Sequence, residues 1–161
     1  VTRAARPAPP APSQEGPDRT STDVFTPEQR SAVMRRVKAR DTTPEIKVRR
    51  LLWRLGARYR LNRRDLPGSP DIVLPGRRLA IFVHGCFWHG HDCPRGARTP
   101  KANREYWQAK IDRNRARDQR ACEALAAGGW RVATVWECDL RDPAALESRL
   151  AALLDEKLSK S

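Results

Sequence analysis

Ten consecutive residues, His84 to Cys93, read His-Gly-Cys-Phe-Trp-His-Gly-His-Asp-Cys and hold all three histidines and two of the four cysteines of the chain. They follow directly on an apolar run, Leu79 to Val83. Any fold the chain adopts must therefore carry a loop of imidazoles, thiols and large aromatics off the end of that run. Packing alone does not gather such residues. Metal binding and catalysis do, because imidazole is both a ligand and a proton carrier near neutral pH, and thiolate is a soft zinc ligand.

A length of 161 residues suits about one domain. The net charge is +13, from 32 basic against 19 acidic residues. Residues 1–25 balance three arginines with Glu15, Asp18 and Asp23, so the excess sits on residues 26–161. A basic folded body suits a polyanion, most often nucleic acid. Unevenly spaced cysteines, no signal-peptide pattern and no run long enough for a membrane span point to a reducing cytoplasm, without membrane partners.

Residues 1–25, rich in Pro, Ala, Ser and Thr, read as a disordered tail, and residues 26–158 as the domain. Thr26-Pro27-Glu28-Gln29 is a capping-box start for a short basic helix containing Met34. Thr43-Pro44-Glu45 opens a second helix, with Val48, Leu51, Leu52 and Leu55 on one face and Gly56 as its stop. Extended segments are expected at 57–61, 71–74 and 79–83, the last two antiparallel about Pro75-Gly76. A long helix over 101–127 should turn Trp107, Ile111 and Leu125 inward. A strand over 130–136 and a helix from Asp142-Pro143 with Leu146, Leu150, Leu153 and Leu154 complete the chain. The expected class is α/β, a small mixed sheet flanked by helices.

Cys86, His91 and Cys93 on one loop, with Cys138 after a distant strand, would make a closed Cys3His zinc site, structural because no position is open. Cys138 also reads as a plain core residue, and Cys122, inside a helix, as core alone. Asp71 on one strand facing the end of its hairpin partner is a common way to hold Mg2+ for phosphodiester hydrolysis, as in PD-(D/E)xK nucleases. Here no second acidic residue or lysine follows, and His84 stands where the lysine would be. If His91 binds zinc, His89 is free as general base, with Asp118 or Glu45 to orient a histidine. At least one of Phe87 and Trp88 is a candidate for stacking on or wedging between bases.

Taken together, Arg40-Asp41-Thr42-Thr43-Pro44-Glu45, Pro67-Gly68-Ser69-Pro70-Asp71, Phe82 through His89, Glu105-Tyr106-Trp107, and Gly129 through Val132 with Trp136-Glu137-Cys138 resemble the very-short-patch repair (Vsr) endonuclease family over about residues 26–158. The resemblance implies a restriction-endonuclease-like core and a bacterial enzyme that nicks double-stranded DNA beside a T·G mismatch left by deamination of 5-methylcytosine. It implies Mg2+ on Asp71 and the Val83 carbonyl, His89 as general base oriented by Asp118, and His84 beside the scissile phosphate supported by Glu45. It further implies structural zinc on Cys86, His91, Cys93 and Cys138, with Phe87, Trp88 and Trp107 wedging from the major groove and Met34 from the minor groove. A monomer is expected, with a cytosine-5 methyltransferase and downstream repair proteins as functional partners. Gly90 and Asp92 stand where some relatives have histidines, and residues 94–101 depart in length and composition. The alternatives are a restriction-like nuclease of other specificity and a zinc-stabilised DNA-binding module without catalysis.

Overall fold

The computed structural model describes residues 40–98 and 103–156. The expected tail, the first helix and Met34 lie outside the described residues. Helix α1 spans Thr43–Arg54. It starts where the sequence places it, because Thr42 and Glu45 form a reciprocal capping box and Pro44 occupies the first turn. Its end is a Schellman turn: the Gly56 N–H bonds the Trp53 carbonyl at 2.9 Å and the Ala57 N–H bonds the Leu52 carbonyl at 3.0 Å. Gly56 takes φ +70° there. That turn shortens the first strand: Ala57 is used to close the helix, so β1 is only Arg60–Leu61 rather than 57–61.

Strands β2 (Ile72–Leu74) and β3 (Leu79–His84) pair antiparallel, Ile72 opposite Ile81, about a 3-10 turn at Pro75–Arg77. Helix α2 (Arg104–Ala127) then crosses over to β4 (Arg131–Trp136), which pairs parallel with β3. The sheet order is β1-β2-β3-β4, antiparallel apart from the β3–β4 pair. A second 3-10 turn, Glu137–Arg141, leads to α3 (Pro143–Asp155), whose first turn is capped by Asp142 accepting from the Ala145 N–H at 3.0 Å. The expected small mixed sheet with flanking helices is what forms.

Side chains alternate across β3, as a strand requires. Leu79 and Ile81 join Val48 and Leu52 of α1 and Leu146 and Leu150 of α3 in one core cluster. Ala80 and Phe82 pack against Ala121 and Leu125 of α2 on the other side, with Cys122 half-buried beside them as the core reading of that thiol expects. A strand covered on both faces reads as a continuous apolar run, which explains Leu79 to Phe82. The last residue of β3, His84, and the residue before β2, Asp71, then open onto one end of the sheet. Among the described residues no helix is long and apolar enough to cross a membrane.

Candidate active site and metal centre

A cleft of 720 Å3 at that end is lined by Glu45, Asp71, His84, His89, Asp118 and Trp88, among others. Asp71 is anchored by the Val83 N–H, which donates to Oδ2 at 2.7 Å. Burial is the main cause that raises its carboxyl to about 6, and the neighbouring Glu45 charge adds to this. A strand residue turns its N–H and C=O to the same side, so the Val83 carbonyl also faces the Asp71 side. Extending the β2–β3 register by two residues sets Pro70 opposite Val83. Proline has no N–H to give that carbonyl. A carboxylate and a carbonyl oxygen aimed into one cleft form the hard donor set that suits Mg2+.

His84 and His89 stack face to face, centroids 3.8 Å apart and planes 7° from parallel. Burial, then the neighbouring His89, holds the His84 imidazole down to about 4, so it is neutral at physiological pH. His89 Nδ1 lies 2.5 Å from Asp118 Oδ2. An ionised carboxylate only accepts, so Nδ1 donates, and in the neutral ring the lone pair is on Nε2. A base held in one tautomer by a carboxylate is the arrangement general-base catalysis requires.

Of the two carboxylates the sequence offers as histidine partners, Asp118 reaches one and Glu45 does not. Glu45 is 3% exposed, and its oxygens accept from the Thr42 hydroxyl at 2.8 Å, the Arg49 guanidinium at 2.9 Å, the Asp41 N–H at 3.1 Å and the Thr42 N–H at 3.5 Å. Those donors fill the roughly four lone-pair sites of a carboxylate. Among the described residues Glu45 is thus held by a cap and an ion pair with Arg49.

Next to the cleft, the ligand atoms of Cys86, His91, Cys93 and Cys138 all lie within 4.8 Å of one another. Four ligands on a zinc ion stand about 3.7 Å apart, the edge of a tetrahedron with 2.3 Å bonds. The donor set therefore fits zinc, and Cys138 joins the loop cysteines because β4 runs parallel to β3 and delivers it to the same end. Its sulfur sits 3.4 Å from His91 Nδ1. The loop is wound tightly enough that a Cβ on Gly96 would meet the His91 carbonyl oxygen at 2.0 Å. Trp136 of β4 forms the wall between the two centres, stacked on His91 at 4.2 Å and edge-on to His84 at 5.3 Å.

Phe87, Trp88 and Trp107 form one half-buried cluster, with centroids 5.0, 5.7 and 5.9 Å apart. The Lys110 ammonium lies 5.3 Å from the Trp88 ring and 5.6 Å from that of Trp107. Asn114 donates to the Trp88 carbonyl at 2.8 Å. Sequence reasoning passed over Lys110, Asn114, Arg49 and Trp136. For Asn114 a signal existed: with Ile111, Asp118, Ala121 and Leu125 it falls at three- and four-residue spacing, so it shares the inward face of α2.

A family model described as DNA mismatch endonuclease Vsr matches residues 22–95. The type II nicking enzyme V.XorIIP of Xanthomonas oryzae pv. oryzae is 58% identical over 134 residues, 83% of this chain and 98% of that protein. The type II nicking enzyme V.NmeAIP of Neisseria meningitidis is 42% identical, covering 84% of this chain and 96% of that protein. The DNA mismatch endonuclease Vsr of Escherichia coli is 43% identical over 119 residues, 74% of this chain and 76% of that enzyme. These relatives define the class of the chain, a DNA endonuclease. The chain belongs to the Vsr family of DNA mismatch endonucleases.

Proposed function

We propose that the protein is a Mg2+-dependent endonuclease that nicks one strand of double-stranded DNA beside a T·G mismatch arising from 5-methylcytosine deamination, and so opens very-short-patch repair. The observation that carries this reading is the convergence of Asp71, His84 and the His89–Asp118 pair in one cleft. A DNA-binding module without catalysis has no use for a carboxylate-held base in one cleft with a second, half-buried carboxylate. The hairpin that carries Asp71 and Val83 is the element by which restriction-endonuclease-like cores hold metal.

Asp71 and the Val83 carbonyl are the residues that would hold the catalytic ion. Mg2+ bound there supplies charge neutralisation at the phosphate and a more acidic water. His89 takes the proton of the attacking water on Nε2 while Asp118 stabilises the resulting imidazolium. Neutral His84 donates a hydrogen bond to a phosphate oxygen without adding positive charge against the metal. The attacking oxygen forms one bond to phosphorus, one P–O ester bond breaks, the leaving oxygen takes a proton from solvent water, and His89 gives its proton back to solvent.

Zinc held by Cys86, His91, Cys93 and Cys138 would fasten the loop that carries His89 and Trp88, a folding role rather than a chemical one. Phe87, Trp88 and Trp107 are the wedge into the duplex, with Met34 on the opposite groove. Residues 26–158 form the catalytic domain and 1–25 a tail. The enzyme acts as a monomer on chromosomal DNA in the bacterial cytoplasm, at sites modified by a cytosine-5 methyltransferase, and hands its nick to other repair proteins. A duplex with one T·G pair and a distinct label on each strand tests the reading. One labelled strand should be cut with Mg2+ and neither without it. Cleavage of both strands would instead favour a restriction-like nuclease.

A further inference from the structure

Four carboxylates line the cleft: Glu45, Asp71, Asp118 and Glu137. Three have a basic partner. Glu45 pairs with Arg49 at 2.9 Å, Asp118 with Arg117 at 3.6 Å besides its bond to His89, and Glu137 with Arg95 at 3.1 Å. Asp71 has no ion-pair partner among the described residues. Arg49 is the most enclosed of the cations, with its side chain 12% exposed. Its fork spans Asp41 at 2.5 Å and Glu45 at 2.9 Å, and its Nε is buried without a partner among the described residues. A buried guanidinium is retained at a cost unless its charge is used, because removing it from water is expensive.

We propose that Arg49 is a positioning residue that offsets the charge of Glu45 and fixes its side chain, so that Asp71 presents the main uncompensated negative charge to the catalytic cation. Glu45 then acts as a pin for the cleft wall rather than as a metal ligand. This inference rests on the reading of Asp71 as the Mg2+-binding carboxylate. Its physical consequence is that the DNA-free enzyme holds the ion weakly, with the phosphate of the bound duplex supplying the missing negative charge. A weakly charged site loads metal where substrate is already in place.

The test uses the zinc-loaded, full-length protein without DNA, with Mn2+ binding followed by electron paramagnetic resonance and Mg2+-dependent nicking measured separately. Removing a unit charge on the order of 8 Å from a divalent ion should change affinity at least ~5-fold in low-salt buffer, even with a water-like dielectric. Arg49→Met should therefore bind Mn2+ at least that much more tightly, yet nick more slowly at saturating Mg2+, because Glu45 is no longer held. Arg49→Lys should keep wild-type Mn2+ affinity. Glu45→Gln should bind Mn2+ more weakly, and the Glu45→Gln/Arg49→Met pair should return to the wild-type value.

The paired variant keeps the proposal falsifiable if Arg49→Met does not fold. A paired variant as weak as Glu45→Gln would make Glu45 a ligand and overturn the proposal. So would Arg49→Met binding Mn2+ no more tightly than wild type. Asp71→Asn separates the two layers of the argument: unchanged Mn2+ binding there would remove the metal assignment itself, whatever the Arg49 variants do.

Discussion

Replacing Asp71 by Asn should stabilise the metal-free protein near neutral pH while abolishing nicking. Burial raises the Asp71 carboxyl from 3.8 to about 6. Ionising it in the fold therefore costs about 3 kcal/mol relative to ionising it in the unfolded chain. The value of about 6 already includes the bond from the Val83 N–H to the ionised carboxyl, and Asn keeps an acceptor for that N–H. The net gain at pH 7.5 should therefore be about 2–3 kcal/mol, or a rise in melting temperature of about 4–12 °C for a domain of this size. Because the folded-state value is the raised one, the protonated carboxyl costs nothing below about pH 4, and the penalty grows as pH climbs through 6. The gain of the Asn variant should thus vanish near pH 4 and be complete above about pH 7. Urea unfolding of both proteins at pH 4 and pH 7.5, in Mg2+-free buffer without chelator, measures the difference. An Asn variant less stable than wild type at pH 7.5 would show that the Asp71 charge supports the fold, and would refute the view of a site strained for function.

His89→Ala should slow nicking at least ~10²-fold with the fold intact, as loss of a general base does, and Asp118→Asn should slow it by releasing the His89 tautomer; single-turnover rates with melting curves check both. Purified protein should contain one zinc per chain, and Cys138→Ser should lose it and unfold at lower temperature rather than turn over more slowly when folded; metal analysis that finds no zinc would reject the site. Trp88→Ala should lose discrimination between T·G and T·A duplexes, because a wobble pair costs less to unstack. Arginines that contact phosphate should instead weaken both duplexes alike. Nicking and binding of the two duplexes at one salt concentration decide this, and equal losses on both would return Trp88 to a packing role.

Much of the scaffold was legible because each signal was local. The Thr43-Pro44-Glu45 helix start, the Pro75-Gly76 turn and the apolar run Leu79 to Val83 each state their structure within a few residues, although the capping residue is Thr42. The soft ligands were legible for a different reason: cysteine and histidine are scarce enough here that a cluster stands out, and the parallel β3–β4 pair that gathers them follows from one long helical crossover. What stayed hidden depended on contacts across the fold. By residue type alone Asp118 and Glu45 are equivalent, and only the family resemblance separated them; in the fold, the docking of α2 against the loop gives Asp118 to His89 while the Thr42 cap and Arg49 take Glu45. The Ala57 strand start failed because a Schellman turn needs one residue beyond the glycine. Lys110 and Asn114 read as solvated side chains on a charged helix until Trp88 is laid over them, its ring against the Lys110 ammonium and its carbonyl accepting from Asn114.

The most direct measurement is the single-turnover rate of nicking on two duplexes that differ only in T·G against C·G at one position, each with and without Mg2+. The account predicts a nick in one strand of the T·G duplex, requiring Mg2+, absent from C·G and lost in Asp71→Ala even at saturating Mg2+. Equal cutting of the two duplexes, or full activity in the Asp71 variant, would contradict it.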